Sequence, residues 1–289
     1  MRKRNTRLFL SKTIYLFPAL VLMALFFLWP IVMTIFYSFS NLALTGSAAA
    51  NFEMVGLDNY RKLFADTEVV ISIKNTIIFV IGSVIGQTVL GLAIAFLMQK
   101  KSKIFRRIVG SIFLIGWVMP EMVAAICAYS FFTDKGILNA ILMAGGIERI
   151  SWLFKYPVAC IVAANIWHGT AYSMMVFQAA LDNVPEEVKE SGKMDGANTF
   201  QQIFYIVLPI IKDTIMTNTM LITLMTLGTF GMIYTMTGTT VQTLPIFMYI
   251  RAFKNYQLGY GTAISMILLA IGVAFSLIYV KIIGKDVKN

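Results

Sequence analysis

Charge is what this 289-residue chain has least of. Asp, Glu, Lys and Arg make up only 13% of it against 58% apolar residues, and the mean hydropathy is +0.76. Soluble domains carry roughly a quarter charged residues, and a water-soluble globule with so few could not cover its own surface. Histidine is scarcer still. The single one, His168, excludes a zinc site of the H-E-x-x-H kind. The sequence has no G-x-x-x-x-G-K-[ST] and no G-x-S-x-G, so it offers neither a P-loop for ATP nor a nucleophile elbow. The two cysteines, Cys127 and Cys160, fall inside long apolar runs, where small apolar filler is a better account than a disulfide. Nothing here points to an enzyme, a metal or a bound cofactor.

What is present is continuous apolar sequence. A helix crosses ~30 Å of hydrocarbon with about 20 apolar residues, and six segments qualify: 13–37, 71–98, 108–132, 158–181, 210–234 and 261–283. Because the runs do not alternate, they read as helices and not as a barrel. The expectation is an all-α, polytopic integral membrane protein with six transmembrane helices. The opening "MRKRNTR" resembles the basic start of a signal peptide, but the run behind it is too long and lacks a cleavage site, so it reads as a retained span.

Lys and Arg are unevenly placed. Residues 2–12, 99–107 and the tail, together with Lys189, Lys193 and Lys212, hold sixteen, against seven in 38–70, 133–157 and 235–260. By the positive-inside rule both termini are cytoplasmic. The net charge of +10 then reflects topology and not nucleic-acid binding, since no aromatic residues interleave the cations to stack bases. Among the outer segments, "GLDNYRKLFAD" (56–66) reads as a short helix capped by Asp58 with Tyr60, Leu63 and Phe64 on one side. Segment 133–157 holds a short apolar helix and an aromatic patch, and 235–260 a polar loop leading into a short re-entrant helix.

The stretch "ESGKMDGANTFQQIFYIVLP" (190–209) turns polar between two spans. Pro185 is suited to open a helix running to Met194, with Asn183 as its cap and Glu186 and Glu187 at the positive end of the dipole. Ser191 and Gly192 weaken that helix, which makes sense where something approaches it closely. Gly196 permits a turn at positive φ. Asn198 and Gln201 stand in capping-box register for a second helix with Phe200, Ile203, Phe204 and Val207 on its apolar face, and Pro209 ends it. Two capped helices around a notch of small residues suit a docking element for a cytoplasmic partner.

Glu190-Ser191-Gly192, Gly196, and Ile206-x-Leu208-Pro209 strongly resemble the cytoplasmic E-A-A-x-x-x-G-x9-I-x-L-P loop of ABC importer permeases, and Asp195-Gly196-Ala197 matches the D-G-A of the sugar-transport branch. "NTIIF" (75–79), "GILN" (136–139), "WLF" (152–154) and "GTAIS" (261–265) agree, so the resemblance covers roughly residues 10–284, with Ser191-Gly192 departing from the two alanines. The resemblance implies the type I importer transmembrane fold of a bacterial or archaeal cell membrane. Residues 1–70 would be the cytoplasmic tail, first helix and external loop, and 71–284 the permease domain with its coupling loop at 182–209. It further implies four partners: a second permease subunit, a cytoplasmic ATPase dimer that binds the ATP, an extracytoplasmic solute-binding protein, and a sugar or sugar-like substrate. Glu190, Ser191, Gly192, Asp195, Gly196, Ala197, Leu208 and Pro209 would couple to the ATPase. A non-sugar solute such as a polyamine or phosphate ester, or a stand-alone ion-coupled carrier, are the alternatives.

Polar groups inside a span usually face the bundle interior. Asn165, His168 and Tyr172 recur at helical spacing beside Trp167 and Gly169, offering hydrogen bonds and aromatic faces of the kind a sugar uses. Asn218, Thr219, Thr223 and Thr226 lie on the fifth span. Interhelical hydrogen bonding uses the same residue types, and both uses stand at this point. Glu121 follows Pro120 and is expected to bond the backbone that the proline frees, while Gly82 and Gly86 are spaced for close helix packing. The orientation has a direct check. In a background without Cys127 and Cys160, Ser47→Cys should react with an impermeant maleimide from outside, whereas Thr199→Cys should react only after permeabilisation. External labelling at 199 would reverse the assignment.

Overall fold

The computed structural model describes residues 16–286, with side chains as far as Lys281. The basic residues of 2–12, and Lys288, lie outside that range. Among the described residues the chain is helical, with no strand and one isolated bridge between Ser40 and Met54. Three helices are long and apolar enough to cross a membrane: α1 (Leu16–Ser38), α3 (Thr67–Gln99) and the Leu258–Lys281 stretch of α13 (Leu258–Asp286). Two bent pairs qualify when each is taken as one span. The remaining predicted span is the 26-residue α7 (Pro157–Asp182), which is long enough but more polar, and it buries ten of its residues.

Contacts divide the chain into two compact units. One comprises the described residues up to Val69 with Met248–Leu269. Here α2 (Asp58–Ala65) turns Asn59 inward, where its Nδ2 donates to the carbonyls of Ser38 and Ser40 at 2.9 and 2.7 Å, groups that the end of α1 leaves without intrahelical partners. Asp58 is the first helical residue and caps nothing, and Phe64 is 78% exposed. Of the side expected there, Leu63 is buried and Tyr60 is half-buried against Phe39, with 5.5 Å between ring centroids, so Phe64 alone is left outside.

The other unit holds Val70–Phe247 and the chain from Ala270 on. In it the third and fifth predicted spans are not continuous. α4 (Lys103–Val118) stops before Pro120, because a residue preceding proline is pushed out of the helical region, and Met119 takes φ −56°, ψ 132°. The chain bends by 99° and resumes as α5 (Glu121–Phe132), followed by α6 (Ile137–Ala144). Then come α7 and the two helices of the polar insert, α8 (Glu186–Met194) and α9 (Thr199–Ile210). Pro209 does not end α9. A π turn over Gln202–Val207 absorbs the missing donor and the ring's clash with the preceding turn. The 70° bend falls at Ile211, before α10 (Lys212–Leu227). α10 ends at Leu227, seven residues short of expectation, and α11 (Gly231–Thr237) starts after Phe230; α12 (Leu244–Tyr249), a short helix where 235–260 was expected to lead into one, buries Leu244 through Phe247.

The centre of this unit is the crossing of α3 and α7. Lipid supplies no hydrophobic force between helices, so close contact of small residues has to serve. A Cβ on Gly82 would stand 3.1 Å from Val162, one on Gly86 2.3 Å from Ile166, and one on Gly91 2.7 Å from the Ser173 Cβ and 3.0 Å from the Met174 nitrogen. Only at Gly91 is the obstacle backbone as well as side chain. Gly91→Ala should therefore cost about 1–3 kcal/mol and lower the melting temperature of the purified protein. Gly110→Ala, on a helix position with open space around it, should be neutral or stabilise by up to ~1 kcal/mol. Equal melting of the two variants would refute the tight crossing.

Candidate functional site

Where α4 and α10 break, they leave a cavity of about 310 Å³ against α7. Asn165, His168, Gly169 and Tyr172 line it from α7, Thr226, Met225 and Ile222 from α10, Gly228 and Thr229 from the turn beyond, and Gln87, Trp117 and Glu121 from α3, α4 and α5. The Trp117 and Tyr172 rings stack at 5.3 Å between centroids, tilted 26°. Gln87 fills the space that a side chain at Gly169 would need, and its Nε2 donates to the Asn165 carbonyl at 3.2 Å.

Two cavity residues also tie off the broken helices. His168 Nε2 lies 3.3 Å from the Met119 carbonyl, a bond that requires the ring proton on Nε2. Glu121 does not serve the backbone beside its own proline: its Oε1 accepts from Met232 N at 2.8 Å, at the start of α11. A carboxylate at a helix N-terminus meets both free N–H groups and the positive end of the dipole.

Not every expected path residue reaches the cavity. Trp167 is 53% exposed and lines a separate apolar recess with Cys127 and Phe131. Asn218 is buried, with its Nδ2 donating to Ser173 Oγ at 3.1 Å. Thr219 bonds the carbonyl one turn back, and Thr223 does the same while meeting Tyr279 Oη at 3.2 Å. Asn218 and Thr223 tie α10 to α7 and α13, Thr219 bonds within its own helix, and of that face Thr226 alone enters the cavity. Sequence reasoning passed over Gln87, Trp117 and Thr229. It had Glu121 in hand, and an intramembrane carboxylate was the available signal.

The insert is folded back on itself. Gly192 is buried because Ile206 of α9 lies where its Cβ would be, 2.4 Å away. The close approach inferred from this glycine is thus supplied within the chain. Pro185 occupies the N-cap position of α8 without a side-chain bond, and Asn183 ends α7 instead of capping α8. Glu186 and Glu187 do sit in the first turn, and the hydrogen bond from Lys189 holds the Glu186 carboxyl below its ordinary range. α8 ends in a Schellman motif, with Ala197 N bonding Gly192 O and Gly196 N bonding Lys193 O, both at 3.0 Å. Gly196 carries the left-handed turn at φ 81°. The capping box is present in full: Gln201 N donates to Asn198 Oδ1 at 2.9 Å and Asn198 N to Gln201 Oε1 at 2.8 Å.

Val184, Val207 and Ile211 anchor the insert in a core with Ala95, Phe177 and Leu181, and Leu208 packs against it, while Pro209 is exposed. Glu190, Ser191, Asp195 and Gly196 are exposed, as is a group of large apolar side chains: Met194 at 88%, Phe200 at 75%, Phe204 at 58% and Tyr205 at 79%. The single apolar face expected of α9 is therefore divided. The π turn places Gln202, Ile203, Ile206 and Val207 inward and leaves Phe200 and Phe204 outside.

The sequence profile described as "Binding-protein-dependent transport system inner membrane component" matches residues 87–288. The chain is 29% identical to the sulfoquinovosyl glycerol transport system permease protein SmoG of Agrobacterium fabrum, over 95% of this chain and 90% of that protein. It is 30% identical to the trehalose/maltose transport system permease protein MalF of Thermococcus litoralis, over 79% of each. Among solved structures it resembles a chain of a bacterial alginate ABC transporter, crystallised with a periplasmic protein bound to an alginate pentasaccharide, with a TM-score of 0.79 over 96% of this chain and 94% of that one at 20% identity. The chain belongs to the inner-membrane components of binding-protein-dependent transport systems, the permeases of ABC importers.

Proposed function

We propose that this permease passes a neutral sugar or sugar-like polyol through the cavity at the α4 and α10 breaks. The solute would be delivered by an external binding protein and the path completed by a second permease subunit. In this reading both termini are cytoplasmic, ATP is bound by a separate ATPase dimer, and that dimer docks on the 185–209 insert. The observation that carries the solute class is the lining. It brings together a carboxylate, two amides, an imidazole, hydroxyls and two aromatic rings, and it contains no Lys or Arg. Hydroxyls of a sugar can donate to Glu121 and exchange bonds with Asn165, Gln87 and Thr226, while its C–H faces lie on the rings. An anionic solute would meet Glu121 without a compensating cation, which argues against the phosphate ester. A polyamine is the second reading, because the same carboxylate suits a cation.

For coupling, the support is the exposed group Met194, Phe200, Phe204 and Tyr205 beside Glu190. Four large apolar side chains exposed on two short helices that also carry exposed charge are of the kind that marks a protein contact. In the reconstituted importer, Trp117→Ala and Tyr172→Ala should each lower uptake tenfold or more at unchanged basal ATP hydrolysis. Loss of assembly with normal uptake per assembled complex would assign these rings to packing instead. Competition against uptake by neutral sugars, acidic sugars and polyamines then distinguishes the solute classes.

The insert yields its own expectation. Gly196→Val forces a Cβ into the left-handed region at about 1–2 kcal/mol, and Glu190→Lys reverses a charge that, paired across an interface, is worth roughly 2–5 kcal/mol. Both should reach the membrane yet lose co-purifying ATPase or its stimulation by loaded binding protein. Gly196→Asn, which tolerates the turn, should stay close to wild type. Wild-type association and stimulation in Gly196→Val and Glu190→Lys would remove the docking role.

A further inference from the structure

The loop after α3 and the first turn of α4 bring a group of cations against the end of α7. A recess of about 290 Å³ lies there, lined by Lys103, Arg106, Arg107, Gln178 and Asp182. Arg106 is already engaged. Its Nη2 donates to Asp182 Oδ2, and with the Gln178 amide turned so that its oxygen faces the guanidinium, that oxygen accepts from Nε and Nη2 at 2.8 and 3.0 Å. Lys103 and Arg107 meet no carboxylate among the described residues. With Asp182 offset by Arg106, the recess keeps two uncompensated positive charges at a hollow of molecular size.

Below it runs a second feature. Ile104, Ile108, Ile112 and Ile115 repeat every three or four residues along α4 and are 74, 56, 62 and 70% exposed. They form an apolar strip on the same helix that opens the cationic recess. A free anion has use for the recess only. A lipid fits both, its phosphate held by the guanidinium and ammonium and its acyl chains laid along the isoleucines. We propose that this recess binds the phosphate headgroup of an anionic membrane lipid.

The site is placed to matter. Asp182 accepts from Gln99 Nε2 at 2.9 Å as well as from Arg106, so one carboxylate fastens the end of α3 and the start of α4 to the last residue of α7. The insert begins there. An anion drawing on Arg107 and Lys103 sits beside this junction and steadies it. The inference does not depend on which solute is carried.

The test uses the importer complex in phosphatidylcholine nanodiscs, titrated with short-chain phosphatidylglycerol and, separately, with inorganic phosphate, reading the midpoint of thermal stabilisation. Phosphatidylglycerol should stabilise the wild type. In Lys103→Gln/Arg107→Gln the midpoint should move about twenty-five-fold higher, at about fivefold for each surface cation removed, whereas Lys100→Gln/Lys101→Gln should move it far less. Inorganic phosphate should not match the lipid at equal concentration. Stabilisation by phosphate at the same midpoint would replace the lipid by a free anion. Equal lipid midpoints in wild type and Lys103→Gln/Arg107→Gln would eliminate the site.

Discussion

An unpartnered backbone amide or carbonyl in hydrocarbon costs several kcal/mol, and for that reason irregular chain at membrane depth survives only where protein surrounds it or a cavity hydrates it. This permease breaks two of its helices, at Met119–Pro120 and at Gly228–Phe230, and both breaks border the same cavity. His168 meets the carbonyl that the first break exposes, and Glu121 meets the N–H group that the second leaves at the head of α11. The polar side chains are thus required by the breaks, and the breaks create the hollow that those side chains line. A continuous α4 and α10 would need neither residue and would leave no room for a solute.

Much of this was legible in the sequence because its signals are local. The three continuous spans follow from run length, the positive-φ turn at Gly196 from the lack of a Cβ, and the capping box from the spacing of Asn198 and Gln201. The packing of α3 was readable at Gly82 and Gly86 for the same reason. Other features depended on partners distant in sequence. Glu121 was assigned to the nearest freed backbone, but its bond lies 111 residues away. Trp117 enters the site only because Pro120 turns the chain there, and Trp167, one residue from His168, faces elsewhere because a helix rotates neighbours by about 100°. A 3.6-residue period puts Phe200 and Phe204 on one face with Ile203 and Val207, a period that the π turn does not keep.

The glycines divide into two physical kinds. Gly91 and Gly192 are places where another segment occupies the space of a side chain: Ser173 and the Met174 backbone in one case, Ile206 in the other. Gly196 has nothing near it and is needed for its dihedral angle alone. Sequence spacing treats them alike, yet substitution acts differently on each. Bulk pushes helices apart at Gly91, where backbone stands in the way, whereas at Gly192 the tip of Ile206 has to move aside, and at Gly196 any side chain that tolerates the left-handed region leaves the contacts untouched.

α7 joins the two candidate sites in one rigid element. Tyr172 in the cavity and Asp182 at the insert are ten residues apart on it, about 15 Å along the axis. Beyond Asp182 the insert cannot absorb a push, because α8 is closed on α9 at Gly192, both helix ends at the turn are capped, and Val184, Val207 and Ile211 lock the stem into the core around Phe177. On the proposed docking role, a displacement of the exposed Met194 and Phe200 surface would reach α7 and α10 as movement of a body and not as bending of a loop. α10 carries Thr226 into the same cavity, facing Asn165 of α7 with 3.5 Å between Nδ2 and Oγ1. A relative shift of the two helices opens or closes the space between those groups. On the proposed path, closing it would remove the room for a solute, and opening it would trade the Asn165–Thr226 bond for bonds to the solute.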